Sequence, residues 1–135
     1  MSQADANDEV RAIAEAAFGA LNAEDFDAFQ ALMANDVQFT SMVAEAEGTT
    51  FRGHEGIREW WDTVRGAFQE AGWELFDARG GDDRGVTHFR MTGTLGGVPV
   101  EQTMWQAVKL RGGKVAWWAF FRTEREALDA AGLRE

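Results

Sequence analysis

Residues Arg84–Thr123 read RGVTHFRMTGTLGGVPVEQTMWQAVKLRGGKVAWWAFFRT, and this stretch decides the fold. Two glycine pairs, Gly96-Gly97 and Gly112-Gly113, divide it into three runs, roughly 86–95, 99–111 and 114–122. Alternating apolar runs joined by two-residue glycine turns are hairpin signals, so the segment is predicted to form an antiparallel meander. Pro99, the only proline, stands at a strand start, where its missing N–H does little harm. Of 23 acidic residues only Glu101 lies in this segment, whereas Trp105, Trp117, Trp118, Phe89, Phe120 and Phe121 all do. A large apolar interior follows from that composition. A catalytic acid inside it does not.

The pleat then sorts the side chains into two faces. Gln102, Met104, Gln106, Val108 and Leu110 share one side of the middle strand, and Glu101, Thr103, Trp105, Ala107 and Lys109 the other. Facing Phe89, Met91, Met104, Trp118 and Phe120 inward turns His88, Arg90, Glu101, Trp105 and Trp117 outward. On the inner face Gln102 and Gln106 both donate and accept hydrogen bonds. Two readings stand: they orient a carbonyl or hydroxyl of a ligand, or they bond to each other, to water or to helix ends. A glutamine exchanges no proton in either case, so the pair speaks for binding before turnover. The outer face, with Trp105 and Trp117, is too aromatic for a bare surface. A homodimer through the sheet would bury it, and a cation–π surface for a basic ligand is the rival reading.

Upstream, residues 8–22 repeat Val10, Ile13, Ala14, Ala17 and Leu21 at helical spacing. Asp25 is placed to cap a second, shorter helix burying Phe26, Phe29 and Met33. Val37, Phe39 and Ser41 alternate as a weak strand, and residues 44–53 read as an exposed crossing. Ile57, Trp61, Val64 and Phe68 mark the face of a third helix with Trp60 beside it, and Gly72 follows as a stop. Trp73–Arg79 forms a strand, the glycine- and aspartate-rich cluster at 80–85 a turn, and Thr123 with Glu126 a capping box for a final helix. Helices followed by a meander define an α+β class: N-terminal helices packed on one face of a curved, mostly antiparallel sheet, with a cone-shaped cavity as the result if the sheet bends far enough, which the strand lengths permit.

Composition narrows the function. A net charge of -10 repels phosphate backbones and anionic lipid heads, so neither nucleic acid nor a membrane is expected as partner. The chain has no cysteine, and Met1 leads into polar residues without a secretory pattern; a cytoplasmic protein is the expectation. Two histidines 34 positions apart offer no metal set, and no glycine-rich phosphate loop occurs, so no metal or cofactor is called for. His54, in the turn Arg52-Gly53-His54-Glu55-Gly56, reads as a helix-start residue or as an acid–base group at the pocket mouth, with an intrinsic pKa near ~6.5 suited to the latter. Glu45 and Glu47 are the other mouth candidates for catalysis, and Ser41 and Trp61 join the inward-facing residues as ligand contacts.

Phe18-Gly19-Ala20-Leu21-Asn22-Ala23-Glu24-Asp25-Phe26, Asp36-Val37-Gln38-Phe39, Phe51-Arg52-Gly53-His54-Glu55-Gly56-Ile57 and Gly113-Lys114-Val115 together resemble the SnoaL-like branch of the nuclear-transport-factor-2-like superfamily. The likeness covers about residues 8–123 and implies one such domain over residues 1–135. It also implies a cone-shaped fold, often dimeric through the sheet, shared by polyketide cyclases, ketosteroid isomerases, dehydratases and binding proteins. Against ketosteroid isomerase the catalytic types disagree: the phenol position falls on Ala17, the base on Ser41, and the second acid on Gln106 or Trp105. The strand carboxylate of polyketide cyclases has no secure counterpart, Glu101 facing outward. The favoured reading is a cone that binds a small, largely apolar molecule, such as a polycyclic or aromatic metabolite, with isomerase, cyclase or hydratase activity left open. The competing class is a non-catalytic accessory or interaction domain that docks a partner on its tryptophan face.

Overall fold

The computed structural model describes residues 3–40, 50–81 and 83–133. Helix α1 (Gln3–Ala23) and the short α2 (Phe26–Ala31) lead into β1 (Met33–Thr40). Next come β2 (Thr50–Arg52), α3 (Gly53–Ala67), β3 (Phe68–Gly81), β4 (Arg84–Leu95), β5 (Val98–Arg111), β6 (Lys114–Phe121) and α4 (Glu124–Ala131). The six strands form one curved sheet in the order β2-β1-β6-β5-β4-β3. All neighbours are antiparallel except β1 and β6, which run parallel. This is an α+β cone with helices over the concave face.

The glycine turns fix the register. Gly96 and Gly97 both take positive φ (59° and 84°), as a two-residue turn with the strand twist requires, and Leu95 pairs with Val98 on either side. Counting back from that turn sets every later pair, including Met91 opposite Gln102 and Thr87 opposite Gln106. Phe89, Met104, Trp118 and Phe120 are buried on the concave side, while Glu101 is exposed and paired with Arg90.

Local chemistry sets the helix ends. Asp25 caps α2 by accepting from the Ala28 N–H at 3.1 Å. Thr123 caps α4 by accepting from the Glu126 N–H at 3.2 Å, and its own hydroxyl donates to the Glu126 carboxylate. The C-terminus of α1 closes with Glu24 in the left-handed region (φ 56°), the Asp25 N–H reaching the Ala20 carbonyl at 2.9 Å.

Three sequence readings are corrected. Met33 opens β1 instead of extending the second helix, and residues 50–52 are a strand that pairs with β1. Gly72 does not stop α3; the helix ends at Ala67, Phe68 takes the extended conformation, and Gly72 lies within β3 opposite Thr92. The physical reason is that β3 begins earlier than its apolar pattern suggests, running as far as Phe68 to pair with Leu95. The aromatic outer face is not bare either. Helix α4 folds across it, bringing the fully buried Ala127 and Ala131, one turn apart, onto Val86 and Ala107, with Trp105, Trp117 and Phe121 packed around them. Two alanines present almost no bulk, which lets the helix sit close to the sheet.

Helix α1 is tied to β3 at two points. Near its C-terminus the Asn22 amide donates to the Trp73 carbonyl and accepts from the Trp73 N–H, each at 2.8 Å. Near its middle Arg11 donates to Asp77 and to the Ala78 carbonyl. Val10 packs so tightly on the β3–β4 hairpin that a Cβ at Gly85 would stand 2.6 Å from its Cγ1 and 2.7 Å from the Arg79 carbonyl oxygen. Gly85→Ala is therefore expected to cost about 1–3 kcal/mol by overpacking. Thermal denaturation showing an unchanged midpoint would contradict this account of how α1 seats on the sheet. Asn22→Leu, which abandons the part-buried N–H and carbonyl of Trp73, is expected to cost about 1–2 kcal/mol in urea unfolding.

Candidate functional site

A cavity lies between α1 and the concave face of the sheet. Helix α1 contributes Val10, Ile13, Ala14, Ala17, Phe18 and Leu21, all apolar, as its two-turn periodicity dictates. Opposite stand Trp60 of α3, Trp73 of β3, and Gln106, Trp118 and Phe120 of the meander, with Met33, Leu110 and Val115 toward one end. Open space amounts to about 30 Å³, enough for about two water molecules.

Aromatic rings occupy the rest of the cone. Phe39 stacks on Trp118 at 4.4 Å and on Phe51 at 4.9 Å, both with planes 15° apart. Trp60 meets Trp118 edge-on at 5.3 Å and stacks on Phe29 at 5.8 Å. Such ring pairs gain about 0.5–1.5 kcal/mol each beyond their area burial, so the packing holds the hollow narrow.

The polar content of the lining is small and specific. Thr87 donates its hydroxyl to Gln106 Oε1 at 3.0 Å, and these are the two buried polar residues among those described. Register accounts for the bond, since the two face each other across β4 and β5. No ionisable side chain lines the cavity among the described residues. Two further polar atoms are the indole nitrogens of Trp73 and Trp118, buried and without hydrogen-bond partners.

The structure distributes the sequence candidates unevenly. Gln106, Trp118 and Phe120 line the cavity. Phe89, Met91, Met104 and Trp61 are buried in the surrounding core without reaching it; Trp61 packs on Phe26 and Phe29 under the Arg65 guanidinium. Gln102 shares the inner parity yet is exposed; β6 pairs with β5 only as far as Trp105, so beyond it that side of β5 has no neighbouring strand among the described residues. His54 sits at the start of α3 with Nε2 at 3.1 Å from the Met33 carbonyl oxygen, a bond between α3 and β1 that leaves the imidazole outside the cavity lining. Ser41, Glu45 and Glu47 lie outside the described residues. No group of three His, Asp or Glu side chains among the described residues converges as a metal set.

Sequence reasoning missed Thr87, Trp60 and Trp73 as lining residues. Thr87 was within reach, since the turn at Gly96-Gly97 alone places it opposite Gln106. Trp60 and Trp73 were not, because their approach depends on how α3 and β3 pack.

On the convex side His88 stacks flat on Trp105 (4.3 Å, 4°) and meets Phe76 edge-on at 5.1 Å. A register shift between Leu75 and Asp77 leaves Phe76 45% exposed. Arg90 lies over Phe76 between Glu74 and Glu101, and its pKa is raised above the ordinary arginine value, first by the hydrogen bond to Glu74 and then by the charges of both carboxylates.

A helix-covered cone with an apolar hollow is the nuclear-transport-factor-2-like class of fold. Residues 14–123 match the SnoaL-like domain family, and the chain belongs to it. No curated protein matches the sequence. Among solved structures, a protein from Catenulispora acidiphila with a ketosteroid isomerase-like fold, in complex with trimethylamine, is 19% identical (TM-score 0.73, covering 90% of this chain and 93% of that one). A Burkholderia pseudomallei protein of the same superfamily, of unknown function, is 15% identical (TM-score 0.76, 91% and 97% covered). A Mycobacterium tuberculosis protein in complex with estradiol-17β-hemisuccinate is 13% identical (TM-score 0.72, 87% and 95% covered). At these identities the likeness is one of fold.

The Thr87–Gln106 bond is open to a double-mutant cycle. Thr87→Val and Gln106→Leu are each expected to destabilise by about 1–3 kcal/mol, since each strands a buried partner. The double variant should cost less than the sum, with a coupling of roughly 1 kcal/mol in chemical denaturation. Strict additivity would show that the bond contributes nothing.

Proposed function

We propose that this protein binds a small, largely apolar molecule in the cavity between α1 and the sheet. The observation that carries the proposal is the lining itself: apolar and aromatic throughout, with one bonded polar pair and no ionisable side chain among the described residues. Pockets for small molecules combine apolar walls with a few placed polar groups. The steroid ester held by the M. tuberculosis protein supports an apolar ligand class for this fold.

Space of about 30 Å³ does not admit a metabolite while α1 stays as it is, so entry requires the helix or its side chains to yield. Between its two polar ties, at Arg11 and Asn22, the helix meets the cavity through Ile13, Ala14, Ala17 and Phe18, apolar contacts without direction that re-form around a guest. Isomerase, cyclase or hydratase chemistry would need a proton-transferring group from elsewhere, with Glu45 and Glu47 as candidates, since His54 is engaged with Met33.

The convex face favours a second, compatible reading. Phe76 and His88, with Trp105 at the edge of the face that α4 covers, form an aromatic patch, and a sheet-to-sheet homodimer would bury it. Light scattering should then report a dimer that Phe76→Arg converts to monomer; a monomeric native protein would dismiss the interface.

Binding itself is testable by intrinsic fluorescence, because Trp60, Trp73 and Trp118 line the cavity. Titration with a panel of apolar metabolites is expected to quench emission and raise the melting temperature for at least one class. Affinity for an uncharged ligand should be flat between about pH 5 and 9, as none of the described lining groups titrates there. Absence of any quenching or thermal shift across the panel would refute the binding reading.

A further inference from the structure

We propose that the indole N–H groups of Trp73 and Trp118 are the recognition donors of this cavity, and that its ligand is a neutral carbonyl compound. The inference rests on the binding reading above and specifies the chemistry of what is bound.

Buried tryptophan N–H groups nearly always find an acceptor, since an unpaired donor away from water is costly. Here two do not, and both belong to side chains that line the same cavity. Trp73 is only 6% exposed and Trp118 only 3%. Trp60 bridges their rings, at 6.2 Å from Trp73 and 5.3 Å from Trp118, so the two donors belong to one aromatic cluster.

Neither indole turns freely. The Trp73 ring is packed between Trp60 and Phe89, at 6.2 and 6.3 Å, and Trp118 lies flat against Phe39. Donors held in place before a ligand arrives lose little ordering entropy on binding. The other polar side chains of the lining do not compete, for Thr87 and Gln106 are bonded to each other.

Charge selects the ligand class by exclusion. No Lys, Arg or His lines the cavity among the described residues, so a carboxylate or phosphate would be buried without a counter-ion. No Asp or Glu does either, which leaves an ammonium only ring faces. A ketone or quinone oxygen suits two fixed N–H donors in an apolar box: it accepts hydrogen bonds, carries no charge and needs no donor of its own satisfied.

The test pairs 1-indanone with indane, which differ by one oxygen at nearly constant shape, and adds protonated 2-aminoindane as the cation. Two readouts apply to the intact protein: titration calorimetry, and the shifts of the six indole N–H signals in proton–nitrogen correlation spectra. The expected result is indanone binding roughly tenfold more tightly than indane, the step one hydrogen bond of about 1.4 kcal/mol produces. The Trp73 and Trp118 N–H signals should move with indanone and stay with indane. Trp118→Phe, which keeps a ring and deletes the N–H, should lower the ratio of indanone to indane affinity, whatever it does to each. Equal affinity for the two probes, or indole signals indifferent to the oxygen, overturns the carbonyl assignment and leaves apolar binding standing. Preference for the aminoindane cation also overturns it, in favour of a cation–π site. Failure of all three to bind defeats both proposals. The spectra of the unaltered protein keep the inference testable even where Trp118→Phe fails to fold.

Discussion

Everything in this molecule depends on the strict alternation of side chains along β4, β5 and β6, locked in register by the glycine turn at Gly96-Gly97. In a pleated sheet a slip of one residue exchanges the two faces entirely. With the observed register, Phe89, Met104, Gln106, Trp118 and Phe120 enter the cone, and His88, Glu101 and Trp105 leave it. The same constraint makes the interior apolar and places Thr87 against Gln106. It thereby separates the one carboxylate of the meander from any ligand in the hollow.

The second determinant is closure. The parallel pairing of β1 with β6 brings Phe39 beside Trp118, and the antiparallel pairing of β2 with β1 adds Phe51 on the other side. Three stacked rings then press into the space that α3 closes with Trp60. The cone is consequently tight: a cavity for about two waters, walled largely by aromatics. Recognition in such a space falls to shape and to a few uncharged donors.

The convex face shows how a small helix alters a surface. Ala127 and Ala131 let α4 lie on Val86 and Ala107, so the chain covers part of its own aromatic sheet and leaves the Phe76–His88–Trp105 cluster at the margin. The cap at Thr123 fixes where the chain turns from strand to helix, and Gly132, with φ of 77°, ends the helix after eight residues.

The sequence by itself determined the strands of the meander, their turns, the parity of their side chains, the caps at Asp25 and Thr123, and the α+β class. These are dictated by neighbours a few residues apart, through the period of the pleat and the conformations glycine allows. The family resemblance read from its short motifs agrees with the match over residues 14–123. Only the tertiary structure decided which aromatic rings fill the cone, that Asn22 grips Trp73, that Gln102 stays outside, and that His54 is taken up by Met33. Each of those contacts joins elements whose approach no local period encodes, because it is settled by the packing of helices on a curved sheet. The hollow itself belongs to that second group: its walls were legible one strand at a time, and its volume was not.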